Sequence, residues 1–119
     1  MEFQRGDVVR IAFPFIQDFS KSKARPAVVI QNDIGNAYGD NLILAAITSS
    51  VPAQEYPVHY RVHAGSAIAK EAGLDLDCIV KAEMIITVRK SSVIEKMGRF
   101  PPRAMAEIDQ CLRVSLELE

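Results

Sequence analysis

Tryptophan is missing from these 119 residues, and cysteine occurs only twice, at Cys78 and Cys111, with no Cys-x-x-Cys pair. Two thiols set inside apolar patterns fit a reduced, intracellular chain in which they act as small hydrophobes. No apolar run comes near the roughly 20 residues that span a bilayer. The opening MEFQRGDVVR lacks the charged-then-apolar order of a secretory signal. A cytoplasmic protein without membrane attachment is expected. Repeats, low-complexity tracts and breaks in composition are absent too, so residues 1–119 read as one domain.

Nor is there an excess of positive charge. Lys and Arg total 14 against 15 Asp and Glu, so bulk charge argues neither for nor against a nucleic-acid partner. Distribution decides it. Between Arg5 and Arg25 there are five cations (Arg5, Arg10, Lys21, Lys23, Arg25) and only two anions, Asp7 and Asp18. Such a local excess attracts phosphates while the chain as a whole stays slightly acidic.

What is present reads first as short strands. DVVRIAF (7–13) alternates in the period of a half-buried strand. RPAVVIQN (25–32) and NLILAAITSS (41–50) are more continuously aliphatic, as strands covered on both faces are. Between them DIGNAYGDN has the composition of a turn. YPVHYRVH (56–63) alternates again, with Pro57 marking a strand start or an edge. SAIAKEAGL (66–74) predicts a turn or two of helix closed by Gly73. DCIVKAEMIITVRK (77–90) predicts one or two strands with a bend near Ala82. From Pro101 the period changes, and Met105, Ile108, Leu112 and Leu116 fall at helical spacing. Many strands and one terminal amphipathic helix predict a small, strongly curved antiparallel sheet or barrel capped by that helix.

Two features carry possible chemistry. Pro26 biases Arg25 toward extended backbone at a strand's first residue, so its guanidinium projects at a sheet rim beside Lys21 and Lys23. Arg offers a permanently charged planar fork suited to phosphate oxygens. The aliphatic run 42–47 ends in Thr48-Ser49-Ser50, three hydroxyls where the apolar pattern stops. An Arg and a hydroxyl facing one phosphate stabilise a developing pentacoordinate centre, and RNA supplies its own nucleophile, the 2′-hydroxyl. Taken from pattern alone, a rim Arg is more often solvated or ion-paired, and a Ser/Thr cluster more often forms a turn.

The chain resembles the MazF/PemK family of toxin endoribonucleases of type II toxin–antitoxin systems. The matching pieces are GDVVRIAFPF (6–15), KSKARPAVVIQN (21–32), LILAAITSS (42–50), AGLDLDCIVKAEMIITV (72–88) and the closing helix. The resemblance implies an SH3-like, strongly bent antiparallel β-barrel with a C-terminal helix, forming a homodimer. It implies cleavage of single-stranded RNA without metal or cofactor, leaving a cyclic phosphate and a free 5′-hydroxyl, and a cognate antitoxin that blocks the RNA groove. Matched by position, it implies that Arg25 acts in proton transfer and phosphate stabilisation and that Thr48 contacts the scissile phosphate, with Ser49 adjacent. Residues 15–23, bearing Phe15, Lys21 and Lys23, are implied to form a mobile loop that closes over RNA or antitoxin.

Other residues have plainer readings. Gly6 and Asp7 are assigned a turn and a local hydrogen bond. Phe13 and Phe15 suit packing more often than base stacking. His59, Arg61 and His63 share one strand face without the acidic or thiol partners of a metal site, and are surface or dimer residues with a minor possibility of RNA contact. Tyr56 and Tyr60 are possible base-stacking residues. Glu83 matches an acidic position of the family, but Met84 and Ile86 replace more polar residues, and Arg89 and Lys90 are placed to compensate. A second reading is a non-catalytic toxin on the same barrel that poisons DNA gyrase. Its relatives lack the Lys-x-Arg-Pro and Thr-Ser pieces. A third is a module that only binds RNA or antitoxin.

Overall fold

The computed structural model describes residues 1–12 and 24–119. Six strands form one antiparallel sheet: β1 (Asp7–Ala12), β2 (Ala24–Val29), β3 (Asn41–Thr48), β4 (His59–Val62), β5 (Cys78–Arg89) and β6 (Val93–Arg99). Their order in space is β4-β5-β3-β2-β1-β6. Among the described residues there are also three short or terminal α-helices: α1 (Asp33–Tyr38), α2 (Ala67–Ala72) and α3 (Pro102–Leu116). The mainly β fold with a C-terminal helix agrees with expectation, but the barrel is a correction. Among the described residues the sheet stays open, with β4 and β6 as its two ends, so it is neither closed nor strongly curled.

Period-2 alternation sorts the apolar residues onto two faces. Val8, Val28, Ala45, Ile47 and Val80 join Phe100, Ala104, Met105 and Ile108 in a core under α3. Val9, Ile11, Ala27, Val29, Leu42, Leu44 and Ala46 form a second core on the opposite face with Phe3. Burial on both faces is why β2 and β3 are continuously aliphatic. The expected bend in 77–90 is a bulge: Ala46 pairs with Lys81 while its neighbour Ala45 pairs with Ile85. The inserted residues invert the phase of the strand. Cys78, Val80 and Ala82 face α3, whereas Ile86 faces the second core. Ile86 is therefore apolar for packing, and Met84 beside the bulge is exposed.

Three segments depart from the sequence reading. DIGNAYGDN contains α1 rather than a simple turn, because the Asn32 side chain accepts the Gly35 N–H at 2.8 Å and caps a helix there. Strand β6 follows a single turn of 3₁₀ helix, Lys90–Ser92, and has no counterpart in the pattern-based reading. In α3, Cys111 joins Ala104, Met105, Ile108 and Leu112 in the core, while Leu116 is exposed. Gly6 and Asp7 serve structure as assigned. Gly6 adopts φ +99°, and the buried Asp7 carboxylate accepts the Gln4 N–H at 2.9 Å. No helix among the described residues is long and apolar enough to cross a membrane.

Candidate nucleic-acid interface

Antiparallel register brings Arg25 and Thr48 together. Residues 27, 28 and 29 of β2 pair with 46, 45 and 44 of β3, so continuing the ladder by two residues sets Arg25 opposite Thr48. Pro26 has no N–H to extend that ladder, and the strands end as a rim there. Both residues line a cleft of about 450 Å³. Its walls are 24–26 of β2, 47–50 at the end of β3, and 73–76 between α2 and β5, with Cys78 and Met97. Arg25 and Ser49 are exposed, and Thr48 is half-buried. The Thr48 Oγ1 accepts the Ser50 N–H at 3.1 Å, which leaves the hydroxyl proton free to point into the cleft. Among the described residues no carboxylate pairs with Arg25.

The third wall was not singled out from the sequence. Ser66 caps α2 by accepting the Ala69 N–H at 3.1 Å, and Gly73 ends it in the left-handed region at φ +73°. That stop turns the chain at the cleft, where Leu74 is buried and Asp75 and Leu76 are exposed. Its sequence signals are the Gly73 helix stop and its place in the matching piece 72–88. Burial pushes the Cys78 thiol up to about 11, with the Asp77 carboxylate adding to the effect, so it is a protonated part of the wall. Both cysteines are free and buried.

Other expected contacts are scattered. Phe15, Lys21 and Lys23, with Phe13, lie outside the described residues. Arg61 and Thr48 both pair with Ile79, so Arg61 shares the row of Arg25 and Thr48 about 10 Å beyond Thr48 at two strand spacings. Its guanidinium lies 3.4 Å from Asp77. Tyr60 is on the other face, its ring edge-on to Phe100 at 6.1 Å, and burial raises its hydroxyl pKa. Arg89 pairs with Asn41 at the far end of β3, about 23 Å from Thr48 at roughly 3.3 Å per residue. Lys90 donates to the Asn36 carbonyl at 2.6 Å. His59 bonds Glu83 at 2.8 Å with Tyr56 edge-on to its ring, whereas His63 stands exposed past the end of β4. Among the described residues no group of three His, Cys, Asp or Glu side chains is placed to hold a metal ion.

Residues 4–116 match the family described as "PemK-like, MazF-like toxin of type II toxin-antitoxin system". Endoribonuclease EndoA of Bacillus subtilis is 31% identical over 118 residues, 99% of this chain and 97% of that protein. A mycobacterial endoribonuclease solved in complex with its cognate antitoxin superposes with a TM-score of 0.77 at 20% identity, over 98% of this chain and 97% of that one. MazF from Deinococcus radiodurans gives a TM-score of 0.72 at 19% identity, over 98% of each chain.

Proposed function

The chain belongs to the PemK-like, MazF-like toxin family of type II toxin–antitoxin systems, and on that premise we propose that it is an endoribonuclease toxin that cuts single-stranded RNA at the Arg25–Thr48 cleft. The observation that carries this reading is the pairing of a permanently charged fork with a hydroxyl donor on adjacent strand ends, in a cleft open to solvent. The 2′-hydroxyl of the substrate attacks its own phosphate. The new 2′-O–P bond closes a 2′,3′-cyclic phosphate as the P–O5′ bond breaks to leave a 5′-hydroxyl. Arg25 stabilises the charge on the phosphate oxygens and protonates the departing O5′, the proton shed by the 2′-hydroxyl passes to solvent, from which Arg25 is reprotonated, and Thr48 donates to a phosphate oxygen. This chemistry asks for no metal ion or cofactor.

Ser49 borders the same cleft and extends the phosphate contacts. Lys21, Lys23 and Phe15 are proposed to hold the strand from the segment before β2, and Arg61 lies along its path. A homologous endoribonuclease has been solved with its cognate antitoxin. For this chain we propose the same kind of partner, covering the cleft, and a homodimer in the cytoplasm.

Thr48→Val keeps the size and shape of the side chain and removes the donor. The intact protein should cleave single-stranded RNA, and the variant should do so about tenfold more slowly, the equivalent of about 1.4 kcal/mol for one hydrogen bond. Equal rates would remove Thr48 from the site. A folded parent protein with no cleavage would refute the reading as a whole.

A further inference from the structure

Two buried side-chain nitrogens have no hydrogen-bond partner among the described residues, Nδ1 of His59 and Nε of Arg61. Buried polar groups are paired as a rule, so two orphans in one place ask for a ligand. Standing two apart on β4, His59 and Arg61 share a face of the sheet. Both wall a cavity of about 210 Å³ between β4 and the segment 51–56. Val51, Pro52 and Ile79 give it apolar walls, and Tyr56 stands edge-on to the His59 ring at 5.4 Å. The segment 51–56 continues directly from Ser50 of the Arg25–Thr48 cleft, so the two cavities adjoin. Arg61 lies in the row of Thr48, about 10 Å away at two strand spacings.

The two nitrogens differ in what they need. Nε2 of His59 lies 2.8 Å from a Glu83 carboxylate oxygen, so Nε2 carries the proton of the neutral ring and Nδ1 is an acceptor. Arg61 Nε carries a hydrogen and only donates. A phosphate only accepts, and it would turn its charge toward the Nδ1 lone pair. The edge of a nucleobase offers a donor and an acceptor side by side, and its flat face suits an aromatic ring. A peptide backbone also offers both, but the row shared with Arg25 and Thr48 and the aromatic wall favour a base.

We propose that this cavity is a subsite for one nucleobase flanking the scissile phosphate, with His59 and Arg61 reading its edge and Tyr56 stacking on its face. The inference rests on the ribonuclease reading above. The cavity is smaller than the pockets of drug-sized ligands, which start at roughly 300 Å³, and suits a single base. Both nitrogens are closed to water, so the base enters as the exposed Tyr56 swings off the His59 ring. Glu83 holds the tautomer in which Nδ1 accepts. Asp77, 3.4 Å from the Arg61 guanidinium, steadies the donor.

An abasic scan tests the subsite. The cut made by the intact protein in a short single-stranded RNA is mapped first. Oligonucleotides lacking one base at a time on either side of that cut are then cleaved in single turnovers by the intact protein, Tyr56→Ala and His59→Phe. Tyr56 is exposed and His59→Phe keeps a ring in place, so both variants retain the fold, which circular dichroism checks. For the intact protein, loss of one particular flanking base should slow cleavage about tenfold. Both variants should be about tenfold slower on the complete RNA and should lose nothing further at that abasic position, because the contact is already gone. Variants that are slower yet depend on every base as the parent does overturn the subsite, since their effect is then structural. Variants that cleave every RNA at the parent's rate overturn it too and leave the cavity to a peptide partner, with the ribonuclease reading standing. An intact protein that cuts no RNA refutes that reading and the subsite with it.

Discussion

Arg25→Ala is expected to slow single-turnover cleavage of single-stranded RNA by about a thousandfold while the circular dichroism spectrum stays that of the parent. Removing a single donor to a developing oxyanion costs about 10² to 10³ in rate. Arg25 carries a second duty, protonation of O5′, which places the loss at the upper end. The fold should survive because the side chain is exposed and, among the described residues, holds no carboxylate in an ion pair. The neighbouring backbone is fixed by its pairing with Ile11 and does not need the guanidinium. Arg25→Lys separates charge from geometry. A lysine keeps the charge as a point on a flexible stem and loses the planar fork, so it should recover less than a tenth of the rate. Full recovery with lysine would mean that the cleft needs only a cation, and an unaltered Arg25→Ala rate would mean that the reaction happens elsewhere.

Gly73→Ala is expected to cost about 3 kcal/mol and to lower Tm by about 10 °C. Two effects add. The residue sits at φ +73°, where a Cβ costs about 1 kcal/mol. That Cβ would also stand 2.1 Å from the Met97 carbonyl oxygen, so α2 must move off β6. Gly65 is the internal control. Its φ of +79° carries the same conformational cost, but nothing lies within 4 Å of an added Cβ, so Gly65→Ala should cost about 1 kcal/mol. Because Gly73 and Met97 both border the cleft, cleavage by Gly73→Ala should also fall at temperatures where it is still folded. Equal Tm shifts in the two variants would contradict the close packing of α2 on β6.

How much of this was legible in the sequence follows from range. Alternation, the Pro26 strand start and the Pro101 helix start are local signals, and β1, β2, β3 and α3 follow them closely. The Arg25–Thr48 pair was visible as two strand ends with suitable chemistry, and the ladder between β2 and β3 brought them together. What stayed hidden depends on distant contacts. Strand β6 is patterned weakly, since its residues are mostly half-covered or exposed and its register against β1 shifts twice. The wall at 73–76 is part of the cleft because α2 packs on β6, which no spacing within GLDLD reveals. Tyr60 and Arg61 are adjacent in sequence yet face opposite sides of the sheet. One is held by Phe100 and the other by Asp77. Met84 and Ile86 look like one loss of polarity, and they divide between an exposed bulge and a packed core.

The most direct test of the central claim is the chemistry of the ends produced from a long single-stranded RNA incubated with the intact protein in excess EDTA. Discrete fragments with 2′,3′-cyclic phosphate and 5′-hydroxyl ends are predicted, because the nucleophile is the RNA's own 2′-hydroxyl and the stabilising charge is Arg25. Fragments with 5′-phosphate ends, or cleavage that EDTA abolishes, would contradict that chemistry. A folded protein that leaves the RNA whole but still arrests growth would be a binding toxin, and the cleft would not be a nuclease site.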